Sequence, residues 1–304
     1  MPKSTSISQY FKSTLLRVLF KGFALLPLSW LRGIGRWLGS LVFSINTRDV
    51  KVTRKNIQLC LTELPAQEQE QLTKLSTQAS MMCALESAWA WFNPRAKVTK
   101  QIVEVSGIEH LKRAQAQQQP LVLTGAHLGN WEVLLNWIAA FDDCAIAYKP
   151  PKSLAMDPVV RKAREATGVT MITGDRSGIE QMFTAASSGK PFVILSDQRP
   201  GKRGGVFAPF FNLPAFTMTI VQKLVQQANA QLLYFHALRV PSGFKVIITP
   251  AAFDLTIPDE IEFATALNAG LSEIITTYPS QFEWSYRRFR PLPEGFEPVY
   301  TQLK

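Results

Sequence analysis

The segment His127-Leu128-Gly129-Asn130-Trp131-Glu132 sets a carboxylate five positions after an imidazole. A carboxylate bonded to one ring nitrogen fixes the tautomer and stabilises the imidazolium, leaving the other nitrogen to take a proton from a bound hydroxyl. On a regular helix, positions five apart point about 140° away from each other. The two side chains can therefore meet only if His127 precedes a helix and Glu132 lies in its first turn. Gly129 and Asn130 supply the turn and cap for that arrangement. The same residues also fit a plainer account, a histidine that merely caps a helix. No G-x-S-x-G elbow occurs in the chain, so no serine nucleophile is indicated. A proton taken by His127 would then come from a substrate hydroxyl, which implies direct attack of an acceptor on an activated acyl group.

Such a pair needs a strand to carry it and a helix to follow. PLVLTGA, 120–126, reads as a buried strand ending at His127, and the following residues read as a turn and helix. Further strands are expected at 102–105, 144–148, 169–172 and 191–196, with helices between them. A helix is expected to open at Asp157-Pro158, with the Asp as cap and the Pro at its first position. The run 217–230 reads as helical. QLLYFHALRV and FKVIITP form a hairpin about 241–243, and 259–277 is helical. This alternation predicts an α/β fold, a central mixed sheet flanked by helices. In such sheets sites form where strands end and helices begin.

The chain has 304 residues and a formal charge of +10, with 46% hydrophobic and 18% charged residues, enough to bury a large core and excluding a disordered polyelectrolyte. Charge is uneven: residues 1–60 hold ten Lys and Arg, Lys3 among them, against the single acid Asp49, leaving about +1 for the remainder. Residues 15–45 interleave Lys21, Arg32 and Arg36 with Phe20, Phe23, Trp30, Trp37 and many Leu. Only ten uncharged residues separate Lys21 from Arg32, short of the ~20 that a spanning helix needs. The composition is that of helices lying in the headgroup plane, broken at Pro27. Residues 1–45 are thus expected to form a membrane-associated helical segment and 46–304 an α/β domain. Cys60, Cys83 and Cys144 are widely spaced among apolar neighbours and read as free buried thiols. No metal-ligand spacing occurs, and His110 and His236 read as ordinary.

AHLGNWE resembles the H-x4-D/E motif of the glycerolipid acyltransferase superfamily, in the form found in bacterial lipid A late (secondary) acyltransferases. TRKNIQLCLTEL (53–64), VFAPFFNLPAFTMT (206–219), PSQFEWSYRRFRPLPEG (279–295) and the basic amino-terminal anchor are similar to further blocks of that family in the same order. The resemblance implies that His127 and Glu132 are the catalytic dyad. It implies that Arg164 holds phosphate or the developing oxyanion, and that Asp197 and Gln198 lie in a loop beside the site. It further implies transfer of an acyl chain from acyl-carrier protein or acyl-coenzyme A to a hydroxyl of a phosphorylated glycolipid, a lipid A precursor, at the cytoplasmic face of the inner membrane and without a cofactor. One departure is that Arg199-Pro200-Gly201 follows the Asp-Gln pair where the family often has glycine at once.

Arg161, Lys162 and Arg164 share one expected helix, and Arg199, Lys202 and Arg203 one loop; guanidinium forks suit lipid phosphates. Arg161 and Lys162 also fit a solvated basic face. The four phenylalanines of 206–216 could wall an acyl channel or be core. Trp284, Arg287 and Arg288 read as structural clamps. Two alternatives stay open: acylation of another lipid, such as a lysophospholipid or ornithine lipid, and a non-enzymatic membrane-binding protein. Nucleic acid is disfavoured, because the positive charge sits on an apolar segment and no reading motif appears.

Overall fold

The computed structural model describes residues 7–304 except 142, 152, 302 and 304; Lys3 lies outside them. Two amino-terminal helices, α1 (Ile7–Ala24) and α2 (Leu28–Ile45), break at Pro27 as expected and bend there by 119°. Among the described residues no single helix is long and apolar enough to cross a membrane. Next come α3 (Arg48–Cys60), α4 (Ala66–Phe92) and the short α5 (Arg95–Thr99). The α/β part follows as β1 (Ile102–Ser106), α6 (Ile108–Ala116), β2 (Leu121–Gly125), α7 (Trp131–Phe141), β3 (Ala145–Tyr148), α8 (Asp157–Glu165), β4 (Thr170–Thr173), α9 (Arg176–Ala186) and β5 (Pro191–Leu195). It ends with β6 (Gly205–Phe210), β7 (Leu213–Met218), α10 (Ile220–Ala228), β8 (Gln231–Val240), β9 (Gly243–Pro250) and α11 (Glu260–Thr277).

Seven strands form one sheet in the order β1-β9-β8-β2-β5-β3-β4. All neighbours run parallel except the β8–β9 hairpin. The central strand β2 is buried along its whole length, as a parallel strand covered on both faces must be, and this accounts for its unbroken apolar run. The expected alternation is therefore present. Two local expectations differ. Asp157 is the first residue of α8 rather than its cap, and its carboxylate accepts the Tyr148 hydroxyl at 2.6 Å instead. Residues 217 and 218 do not belong to α10, which Thr219 precedes: with the rest of the phenylalanine-rich run they form a separate antiparallel hairpin, β6–β7, with Pro209 opposite Pro214. Phe210 is buried there, against Phe289 at 6.2 Å, so this run contributes to the core.

Helix α2 lies along α4 because Gly35 and Gly39 let the backbones approach. A Cβ on Gly39 would stand 2.4 Å from the Gln78 Cα, and one on Gly35 2.7 Å from that of Met82. The opposite side of the helix pair is apolar and exposed: Leu25 at 85%, Trp30 and Trp37 at 65% each, with Val18, Leu41 and Ile45. Lys12, Lys21 and Arg36 are exposed beside them, whereas Arg32 is buried. The three cysteines are buried and outside any disulfide. Burial raises the thiols of Cys60 and Cys83 far above their ordinary range.

Candidate active site

His127 stands two residues beyond β2, and Asp197 two residues beyond β5. These strands pair in parallel with Gly125 opposite Leu195, so equal offsets bring the two side chains together. The His127 Nδ1–H donates to Asp197 Oδ1 at 2.8 Å, and the His127 backbone N–H donates to Oδ2 at 3.1 Å. One carboxylate thus fixes the ring and its tautomer, leaving Nε2 as the basic nitrogen. Asp197 is buried, while the His127 side chain keeps 22% exposure, a route for a substrate to reach it. Burial alone would push the imidazole down. The charge and hydrogen bond of Asp197, with Glu283 adding, overcome this and hold it above its ordinary value, Arg164 opposing. The Trp131 ring meets the imidazole at 4.9 Å between centroids, tilted by 70°.

The turn between β2 and α7 is built as the spacing required. Gly129 adopts φ +66°, and a Cβ there would lie 1.9 Å from the Ala237 carbonyl oxygen, so only glycine fits. Asn130 caps α7: its Oδ1 accepts the N–H groups of Glu132 and Val133 at 3.0 and 3.1 Å. Glu132 lies in the first turn, but the hydrogen bond expected between it and His127 is not formed. Its carboxylate turns instead to α8, where Arg164 donates from Nε to Oε2 at 3.2 Å and from Nη2 to Oε1 at 2.5 Å. The reason is competition. Asp197 occupies His127 Nδ1, and a planar fork satisfies both oxygens of the buried Glu132 better than one ring nitrogen could. Burial works against the Arg164 charge, but Glu132 more than restores it, and the pKa is raised. The guanidinium also lies 5.4 Å from the Tyr148 ring centroid.

The five expected site residues therefore gather as two ion pairs, His127–Asp197 and Glu132–Arg164, with Gln198 beside the first. The Gln198 amide nitrogen is 3.4 and 3.5 Å from the two ring nitrogens, shared too evenly to hold either. Glu283, overlooked in the sequence, donates its backbone N–H to the His127 carbonyl at 2.9 Å. A cavity of about 420 Å³ reaches this place. Its lining is mostly apolar, with Phe20, Val42, Val50, Met81, Leu85 and Trp91, and it includes Trp131, Glu132 and Glu283 of the site. None of the phenylalanines of β6–β7 lines it. Arg161 is partly exposed and 4.0 Å from Asp157, and Lys162 is exposed, as on a solvated face. Arg199, Lys202 and Arg203 are exposed on the loop after Gln198. Trp284 and Arg288 are buried clamps: the Asn56 amide donates to the Trp284 carbonyl, and Arg288 donates to the Phe216 carbonyl and the Thr217 hydroxyl.

The family described as bacterial lipid A biosynthesis acyltransferase matches residues 2–291. The chain belongs to that family. Among its relatives, the lipid A biosynthesis lauroyltransferase of Escherichia coli (strain K12) is 27% identical over 90% of each chain. The palmitoleoyltransferase of the same organism is 28% identical over the same shares. A lipid A biosynthesis acyltransferase of Haemophilus influenzae is 25% identical over 92% of this chain and 90% of its own. As a lipid A biosynthesis acyltransferase, the protein is an enzyme rather than a passive basic membrane binder. It carries the expected mixed α/β sheet, of seven strands, with an amino-terminal helix pair.

Proposed function

We propose that the protein transfers a fatty acyl chain from an acyl thioester, carried by acyl-carrier protein, to a hydroxyl of a phosphorylated lipid A precursor at the cytoplasmic face of the inner membrane. The observation that carries this reading is the His127–Asp197 pair at the end of β2 with Nε2 left as the basic nitrogen. His127 Nε2 takes the acceptor's hydroxyl proton as that oxygen attacks the thioester carbonyl. The oxyanion of the tetrahedral intermediate is met by Arg164, which Glu132 holds in place from below its Nε–Nη2 edge. Collapse breaks the carbon–sulfur bond, and the thiolate takes the proton back from His127. In this scheme Asp197 orients the base and Glu132 orients the arginine.

The apolar cavity that reaches Trp131 and Glu132 suits the donor's acyl chain. The basic loop Arg199–Arg203 suits phosphates of the acceptor, and a basic surface steers an acidic carrier protein. Residues 1–45 lie on the membrane with Trp30, Trp37 and the neighbouring leucines inserted among the headgroups. The test is to incubate purified protein with lauroyl-carrier protein and with lauroyl-coenzyme A against lipid A precursors, lysophospholipid and ornithine lipid. Transfer to the lipid A precursor with carrier protein preferred is expected, and preference for another acceptor overturns the assignment. His127→Ala should lower turnover by about 10² to 10⁴ while circular dichroism stays unchanged; activity within threefold of wild type removes the base.

A further inference from the structure

Glu86 lies in the C-terminal third of α4, wholly buried, and receives two guanidinium groups. Arg32 from α2 donates through Nε to Oε1 at 2.7 Å. Arg239 from β8 donates through Nε and Nη2 at 2.7 to 2.9 Å. A third group completes the carboxylate: the Asn130 side-chain amide donates to Oε2 at 3.3 Å. Each partner has a second attachment. Arg32 donates to the carbonyls of Val240 and Gly243, both at 2.7 Å, clamping the β8–β9 turn. The Arg239 backbone exchanges hydrogen bonds with the Gln281 side chain, and the Gln281 backbone carbonyl accepts the Gly129 N–H. Asn130 caps α7 directly ahead of Glu132, and its N–H is held by the Ala237 carbonyl.

A buried ion cluster is weak evidence for stability, since well-packed apolar residues of similar volume often serve as well or better. What such a cluster does supply is directional registry. This carboxylate fixes, at one point, the helix that bears the exposed tryptophans, the long helix beneath it, a central strand and the cap of α7, whose first turn holds Glu132. Arg32 is the one buried cation among the described residues of α1 and α2, so the charged contact of the amino-terminal segment with this cluster is made by it.

We infer that Glu86, bonded to Arg32, Arg239 and Asn130, is a positioning residue for acyl transfer: it couples the seating of α2 to the first turn of α7, and so sets Glu132 and Arg164 against His127. This rests on the acyl-transfer reading above. The amino-terminal segment is then part of the catalytic assembly as well as an attachment.

Two variants test it in the full-length chain. Asn130→Ser keeps a good helix cap but loses the arm to Glu86. Arg32→Lys keeps the charge but loses the fork that bridges Glu86 to the β8–β9 turn. Both are assayed with lauroyl-carrier protein and a lipid A precursor, beside thermal unfolding and partition onto phosphatidylethanolamine–phosphatidylglycerol vesicles. Expected for both is a kcat about tenfold to a hundredfold lower with KM for the donor within about threefold, full folding at the assay temperature and unchanged vesicle partition. Wild-type kcat in either variant overturns the inference. So does a rise in KM with kcat unchanged, or a loss of turnover that follows the unfolded fraction. Absence of transfer by the wild-type chain itself sinks the functional reading and this inference with it, whereas wild-type activity abolished by His127→Ala separates the two.

Discussion

Replacing Asp197 by Asn removes the charge that holds the His127 imidazole above its ordinary pKa and leaves burial, which acts downward. The neutral ring is the form that takes a proton, so activity rises with pH as that ring deprotonates. In Asp197→Asn the acid limb of kcat/KM should therefore move to lower pH. Maximal turnover should also fall by about 10² to 10⁴, because the tautomer is no longer held. A pH–rate profile of both proteins decides it: an acid limb that stays in place or moves upward contradicts the assignment of Asp197. This partner was not legible in the spacing of the motif, since it comes from a strand 70 residues away and depends on the register of β2 against β5. A signal was nevertheless present. PLVLTGA and PFVILS are two buried runs each followed at once by a titratable residue, His127 and Asp197, and parallel pairing can set such ends side by side. The His127–Glu132 spacing did reveal the turn, the cap and the first-turn position of Glu132. It could not reveal that Arg164 would claim the carboxylate.

At the scale of elements, the strand and helix order followed from apolar runs alternating with amphipathic ones, because a sheet covered on both faces permits little else. The β6–β7 hairpin escaped because two prolines and clustered phenylalanines give no alternation to read. The join between α2 and α4 rests on backbone contact. Gly39→Leu should cost about 1 to 3 kcal/mol by forcing the helices apart against Gln78. Gly33→Ala, on the same helix with nothing within 4 Å of the added carbon, should instead stabilise by about 0.4 to 1 kcal/mol. Denaturant unfolding of the two variants measures both signs, and equal behaviour would mean that the helices are not in contact there. Trp30 and Trp37 point away from this join. Trp30→Ser and Trp37→Ser should each weaken vesicle partition by about tenfold, since ~1.4 kcal/mol of lost apolar burial corresponds to that factor, with thermal unfolding unchanged. Sedimentation with vesicles checks it, and wild-type partition in the double variant would place the membrane-facing surface elsewhere.

For the molecule as a whole, the proposed attachment sets the +9 charge of residues 1–60 toward lipid and leaves the near-neutral remainder toward water. The exposed side of the bent helix pair has a kinetic consequence. An enzyme seated by that surface meets its lipid acceptor through lateral diffusion in a sheet, while the acyl-carrier protein arrives from the bulk. The two substrates then obey different concentration scales: mole fraction in the bilayer for the acceptor, molarity for the donor. Diluting the acceptor with inert phospholipid at constant total acceptor should slow turnover in proportion to its mole fraction, whereas the donor's KM should stay within about twofold, as its encounter is steered in solution. Surface-dilution kinetics reads this directly, and a rate indifferent to the inert lipid would mean that the acceptor is drawn from the aqueous phase instead.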